Sequence, residues 1–319
     1  MEIKVQHLTR IFGSTKALDD VSFTFSSGDI FGFIGPNGAG KTTAIRIMAG
    51  LDLPTAGDVL YDGISAAYYP EKIRQKVGYM PDTLPDHKDV TVWEYLDFCA
   101  RGFRLRSAER IKRLKYVEEF TGTGDIRSKF LHDLSKGMKQ RVSLARAIIH
   151  DPEVLIMDEP AAGLDPRARL ELRNMLKQLA NEKKAILLSS HILPELQDIC
   201  NGAVIIEQGK LLSAGTLKQM SETLISGSEL PEQKSTAVIT LLCPGKGEEL
   251  KQLLEAHPAV SALEVHTGGK FCFSLAEWEE NLPPLMSRLF AEKFPITNFN
   301  KEEPGLEELF MRITTGKVQ

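Results

Sequence analysis

The chain has 319 residues, of which 42% are hydrophobic and 26% charged, the balance of an ordinary globular protein with a buried core. Its length fits roughly two domains. Lys and Arg total 39 against 43 Asp and Glu, and the net charge of −4 argues against the broad basic field of a nucleic-acid binder.

In chain order, the opening MEIKVQHLTR lacks the apolar core of a secretory leader. Val21, Phe23 and Phe25 alternate with polar neighbours, the pattern of a half-buried strand. Residues 29–34 form a short, mostly apolar run followed by Gly35, and residues 41–51 read as a helix that stops near Gly50. From about 91 to 127 charges are dense, the periodicity is helical and strand signals are missing, which marks an inserted helical subdomain. Val154–Met157, 186–188 and 204–206 are nearly all apolar, as parallel strands buried on both faces are. Leu172, Leu176 and Leu179 mark one face of a helix between the first two of these. Strands alternating with helices predict an α/β fold with a parallel sheet. No apolar run approaches the roughly 18 residues of a membrane span, so a membrane role would come through a partner. The four cysteines, Cys99, Cys200, Cys243 and Cys272, form no C-x-x-C pair, which speaks against a disulfide framework or a zinc site.

Past residue 220 the pattern restarts. Residues 221–234 read as a linker, and 235–319 as a C-terminal accessory domain. Ala237, Ile239 and Leu241 alternate, Leu250, Leu253 and Leu254 share a helical face, and Phe271, Phe273 and Leu275 alternate again. Leu285, Met286 and Leu289 are helical, 296–299 is extended, and Leu306, Leu309 and Phe310 suggest a closing helix. The order β-α-β-β-α-β predicts a small ferredoxin-like α+β domain. It carries no catalytic set: His257 and His266 lack ligand partners, and Trp278 reads as a packing anchor.

Chemistry concentrates in the first part. Gly35-Pro36-Asn37-Gly38-Ala39-Gly40-Lys41-Thr42-Thr43 matches G-x-x-x-x-G-K-[ST], between a predicted strand and a predicted helix. Glycines let successive backbone N–H groups turn toward phosphate oxygens, and the helix N-terminus adds partial positive charge. Lys41 would reach the β- and γ-phosphates, and Thr42 would offer its hydroxyl to Mg²⁺. Val154–Met157 then runs into Asp158 and Glu159. Alone, two adjacent acids could be solvated loop residues. At a strand end beside a phosphate loop they suit a Mg²⁺ ligand, Asp158, and a base for the attacking water, Glu159. A small-GTPase reading fails for want of an N-K-x-D guanine motif.

Leu134-Ser135-Lys136-Gly137-Met138-Lys139-Gln140-Arg141 precedes the acidic strand, Asp165 follows it in Ala162-Gly163-Leu164-Asp165-Pro166, and Ser189-Ser190-His191 closes the next strand. Over residues 1–220 this ordered set resembles the ATP-binding cassette (ABC) superfamily. The variant LSKGMKQR and the extra C-terminal domain resemble ATPase subunits of ABC exporters, which serve a separate membrane polypeptide, often for drugs, antibiotics, lipids or polysaccharides. The resemblance implies a cassette core with an antiparallel β subdomain and a helical insertion of about residues 85–135. It implies ATP and Mg²⁺ as cofactors, a membrane permease and a second cassette as partners, no nucleic acid, and a cytoplasmic place on the inner face of the membrane. In that family two cassettes sandwich two ATP molecules head to tail. Ser135 and the Gly137 N–H would contact the γ-phosphate across the interface, Asp165 would couple the two sites, and His191 would position water beside Glu159. Phe12 matches the adenine-stacking aromatic, a contact worth about 1–3 kcal/mol per base. Three positions depart from the family. Asp82 replaces a glutamine and could still hold Mg²⁺ or a water, Lys136 replaces a glycine and is expected to face solvent, and Met138 replaces a glutamine. Two other readings stay open: a soluble ABC ATPase acting on ribosomes or DNA, and an importer ATPase with a regulatory C-terminal domain.

Overall fold

A long hairpin begins the chain: β1 (Glu2–Phe12) and β2 (Thr15–Ser26) pair antiparallel in the computed structural model, which describes residues 1–85, 88–190, 192–193, 196, 199–220, 237–266 and 268–302. β4 (Ala56–Tyr61) and β5 (Ile64–Ser65) extend it into a four-stranded sheet, ordered β2-β1-β4-β5. Ile3, Val5, Val21, Phe23, Phe25, Val59 and Tyr61 of this sheet are buried.

A second sheet of six strands has the order β10-β9-β3-β8-β7-β6. Its members are β3 (Ile30–Ile34), β6 (Val77–Met80), β7 (Val154–Met157), β8 (Ala185–Ser190), β9 (Gly202–Glu207) and β10 (Lys210–Thr216). All neighbours are parallel except β9 and β10. Every residue of β3, β7, β8 and β9 is buried, which is why these strands read as unbroken apolar runs. Helix α1 (Lys41–Met48) contributes Ala44, Ile45, Ile47 and Met48 to a core cluster that joins both sheets. It stops two residues before Gly50, whose φ of 67° turns the chain out of the helix.

Helices fill the stretch between β6 and β7 after α2 (Pro70–Lys76) has led into β6. α3 (Val92–Gly102) starts on a reciprocal cap: the Thr91 hydroxyl accepts the Glu94 N–H, and the Glu94 carboxylate accepts the Thr91 N–H. α4 (Ser107–Thr121), two short 3₁₀ turns (Gly124–Ile126 and Leu131–Asp133) and α5 (Lys136–Ile148) follow. α6 (Pro166–Asn181) buries Leu172, Leu176 and Leu179.

The chain separates into one unit built on Met1–Leu217 and a second within Lys218–Leu309. In the second, β11 (Ala237–Leu242), α7 (Gly247–Glu255), β12 (Val260–His266), β13 (Lys270–Leu275), α8 (Trp278–Ala291) and β14 (Asn298–Glu302) form an antiparallel sheet, ordered β12-β13-β11-β14, with two helices. That is the ferredoxin-like β-α-β-β-α-β arrangement. Its core holds Ile239, Leu241, Leu250, Leu254, Phe271, Phe273, Leu285 and Leu289, and Trp278 packs half-buried against it. The expected linker at 221–234 and the closing helix with Leu306, Leu309 and Phe310 lie outside the described residues. All four cysteines are free. Among the described residues no helix is long and apolar enough to cross a membrane.

Candidate active site

Adjacent parallel strands bring the chemistry together. β3, β8 and β7 lie side by side, with Ile34 opposite Ser190 and Met157 opposite Leu188. Their C-terminal ends share one edge of the sheet, the edge where parallel α/β sheets hold ligands.

Residues 35–40 form the loop from β3 into α1, and Lys41, Thr42 and Thr43 make the helix's first turn. The curl depends on glycine. At Gly40 φ is 101°, and a Cβ there would strike the Ala17 carbonyl oxygen; a Cβ on Gly35 would strike that of Ile206. The loop is braced from within by the Ala39 N–H, which donates to the Pro36 carbonyl at 3.1 Å. No side chain caps α1, so its first-turn N–H groups face outward as donors without an intrahelical acceptor. That is the donor set a polyphosphate needs. Asn37, Gly38 and Thr42 are exposed.

Lys41 is only 7% exposed, and its Nζ donates to the carbonyls of Gly35 at 2.8 Å and Pro36 at 3.2 Å. The ammonium lies 3.9 Å from a Glu159 carboxylate oxygen. Burial pulls its pKa below the usual lysine value, and the charges of Glu159 and Asp158 oppose that shift. The cation thus rests on the loop's own carbonyls, within reach of an anion entering the loop.

Asp158 is buried directly after β7, and its N–H donates to the Met80 carbonyl at 2.8 Å. The Ser189 hydroxyl donates to Asp158 Oδ1 at 2.7 Å and accepts the Glu159 N–H at 2.9 Å. Glu159 has a φ of 48°, a left-handed backbone that non-glycine residues seldom adopt. Ser189 was not among the residues the sequence singled out for a role. Its sequence signals are its place in Ser189-Ser190-His191 and a hydroxyl where the apolar run of β8 would be expected to continue.

The remaining candidates fall in three places. Asp82 is exposed just past the end of β6, the neighbour of β7. Phe12 is 48% exposed at the hairpin tip, and the Arg10 guanidinium covers one ring face at 4.5 Å from the centroid. Ser135, Gly137 and Asp165 line a separate cavity of about 320 Å³, together with Arg141 and Glu171, which form an ion pair. Ser135 and Asp165 are also the N-caps of α5 and α6, accepting the N–H groups of Met138 at 3.4 Å and Ala168 at 2.8 Å. None of residues 35–43, Asp158 or Glu159 lines that cavity. Lys136 is exposed, with its side chain lying across Gly163. His191 lies outside the described residues.

Comparison with known proteins gives matches in both units. Residues 18–162 match the ABC transporter family, and residues 233–314 match the C-terminal domain of DrrA1-3-like ATP-binding proteins. The Nod factor export ATP-binding protein I of Rhizobium meliloti is 31% identical over 312 residues, covering 98% of this chain and 88% of that protein. The linearmycin resistance ATP-binding protein LnrL of Bacillus subtilis is 28% identical over 313 residues, 98% of each chain. Among solved structures, the dimeric form of a bacterial ABC transporter cassette superposes with a TM-score of 0.62 at 25% identity, over 67% of this chain and 98% of that one. The phosphate loop on β3, the acids on β7 and these relatives along nearly the whole length lead to one conclusion: the chain belongs to the ATP-binding, ATP-hydrolysing subunits of ABC transporters.

Proposed function

We propose that the chain is the energising subunit of an exporter, working as a pair of cassettes on the cytoplasmic face of a membrane permease. The observation that carries this is the division of the first unit's candidate residues. The phosphate loop, Lys41, Asp158 and Glu159 converge at one sheet edge, while Ser135, Gly137 and Asp165 line a different cavity. One chain therefore holds two half-sites, and a head-to-tail partner would complete both. The dimeric solved relative supports that reading. Export is supported by the two relatives whose names specify resistance and export and whose likeness extends through the C-terminal unit.

In this reading residues 35–43 cradle the phosphates, Lys41 leaves its loop carbonyls for the β- and γ-oxygens, and Phe12 stacks on adenine with the face that Arg10 leaves open. Glu159 takes the proton of the attacking water, His191 orients that water, and Ser135 and Gly137 of the second cassette close over the γ-phosphate. Mg²⁺, when bound, would neutralise phosphate charge. Thr42 and Asp158 would hold it, and Asp82, past the end of the strand beside β7, would be a further candidate. Thr42 and Asp158 offer one hydroxyl and one buried carboxylate, a set that suits an ion completed by phosphate oxygens and water. The helices between β6 and β7 carry a groove of about 670 Å³ whose walls combine Trp93, Ile111 and Leu114 with charged Lys115, Glu118 and Arg127.

The test is an affinity pull-down of tagged Glu159→Gln from detergent-solubilised native membranes with ATP and Mg²⁺, read by mass spectrometry. A multi-span integral protein is the expected catch. Ribosomes or nucleic acid without a membrane protein would put a soluble ATPase in its place. The same variant should bind ATP, persist as a dimer by size exclusion and lose turnover by about a hundredfold or more. Near-parental turnover would remove Glu159 from the role of base.

A further inference from the structure

We propose that Ser189 is the positioning residue of this site: its hydroxyl aims the Asp158 carboxylate for Mg²⁺ and holds the turn that presents Glu159 to water. The inference deepens the ATP-hydrolysing reading and rests on it.

Three observations carry it. First, Ser189 is fully buried on β8 between the two functional strands, opposite Phe33 of β3 in the sheet register and bonded to the residues just past β7. Second, its O–H donor and one of its acceptor lone pairs go to the two adjacent acids: Oγ–H donates to Asp158 Oδ1 at 2.7 Å, and Oγ accepts the Glu159 N–H at 2.9 Å. The first bond ties down one carboxylate oxygen of Asp158; the second anchors Glu159 where its φ of 48° is unusual for a residue with a side chain. Third, packing alone asks for no hydroxyl here. Ala185, Ile186, Leu187 and Leu188 are all buried and apolar, and continuing that run through 189 would leave the buried Asp158 oxygen without this donor. The same strand leads into His191, so one serine ties the metal-side acid, the base and the strand of the third expected catalytic group together.

Ser189→Ala, Ser189→Thr and Ser189→Cys in the full-length chain test this. ADP affinity in EDTA, by calorimetry, reports the phosphate loop alone. Mn²⁺ affinity of the ADP-bound chain, by electron paramagnetic resonance, reports Asp158. Turnover with Mg²⁺-ATP reports the assembled site. For Ser189→Ala we expect metal-free ADP affinity within about twofold of the parent, Mn²⁺ affinity down about tenfold and kcat down about tenfold or more, the scale of losing a group that orients a metal ligand. Ser189→Thr keeps the hydroxyl and should restore both. Ser189→Cys keeps the side-chain shape but offers a bulkier sulfur that is a weak donor and a weak acceptor, and should fall with Ala. If Ser189→Ala does not fold, the contrast between Thr and Cys decides. Parental Mn²⁺ affinity and kcat in Ala or Cys, or a Thr variant as impaired as they are, overturns the proposal. A parent chain without Mg²⁺-dependent ATP hydrolysis overturns the reading beneath it, and the proposal with it.

Discussion

His150 is kept neutral by its surroundings. Its ring lies parallel to Phe103 at 3.6 Å between centroids, and Nε2 donates to the Val77 carbonyl at 3.2 Å. Burial is the main cause that takes its pKa down to about 4; Arg113 and Lys184 push the same way, and the Val77 carbonyl and Asp151 oppose. In the unfolded chain the value returns to about 6.5. Between these values the unfolded state binds more protons, so stability is complete above pH 6.5 and falls as pH drops toward 4, by about 3 kcal/mol at most. Urea denaturation at pH 7 and pH 4.5 should show this loss, and His150→Gln should flatten the slope; an equal slope in both proteins counts against it. Legibility at this scale was uneven. Lys41, Asp158 and Glu159 were readable because each sits in a short motif whose neighbours share its task. Ser189 was not, because its partners are 30 and 31 residues away and only the register of β7 against β8 brings them near.

Elements were legible where one environment ran along their length. β3, β7, β8 and β9 are buried on both faces and show as apolar runs. β1 is not so uniform: its pairing with β2 shifts register between Val5 and Leu8 and again toward Ile11, which breaks the alternation a sequence reader counts. β10 alternates weakly because it closes the edge of its sheet, with no residue fully buried. The start of α3 is the reverse case, written locally as Thr91-Val92-Trp93-Glu94. The Thr91 hydroxyl accepts the Glu94 N–H at 3.3 Å, and Glu94 Oε2 accepts the Thr91 N–H at 2.9 Å. Thr91→Ala should cost about 1 kcal/mol of stability, and Thr91→Ser much less. Chemical denaturation with unchanged m-values would measure both; equal losses would mean that the hydroxyl is not what caps the helix.

At the scale of the whole molecule, the two units keep separate cores. Calorimetry of the intact chain should therefore show two transitions, only the first unit's shifting with Mg²⁺-ATP. At a hundredfold excess over Kd the shift corresponds to about 2.7 kcal/mol. A single transition, or two that move together, would mean that the units unfold as one. What the sequence determined by itself was the chemistry and the type of each layer. Backbone-cradling glycines, a lysine and strand-end acids act over a few neighbouring residues, and burial on one or both faces is written in local periodicity. What only the tertiary structure decided was adjacency: that β8 lies between β3 and β7, that a buried serine joins two acids, and that Ser135, Gly137 and Asp165 gather around a cavity of their own. Strand order and register arise from packing between segments far apart in the chain, and no local pattern encodes them.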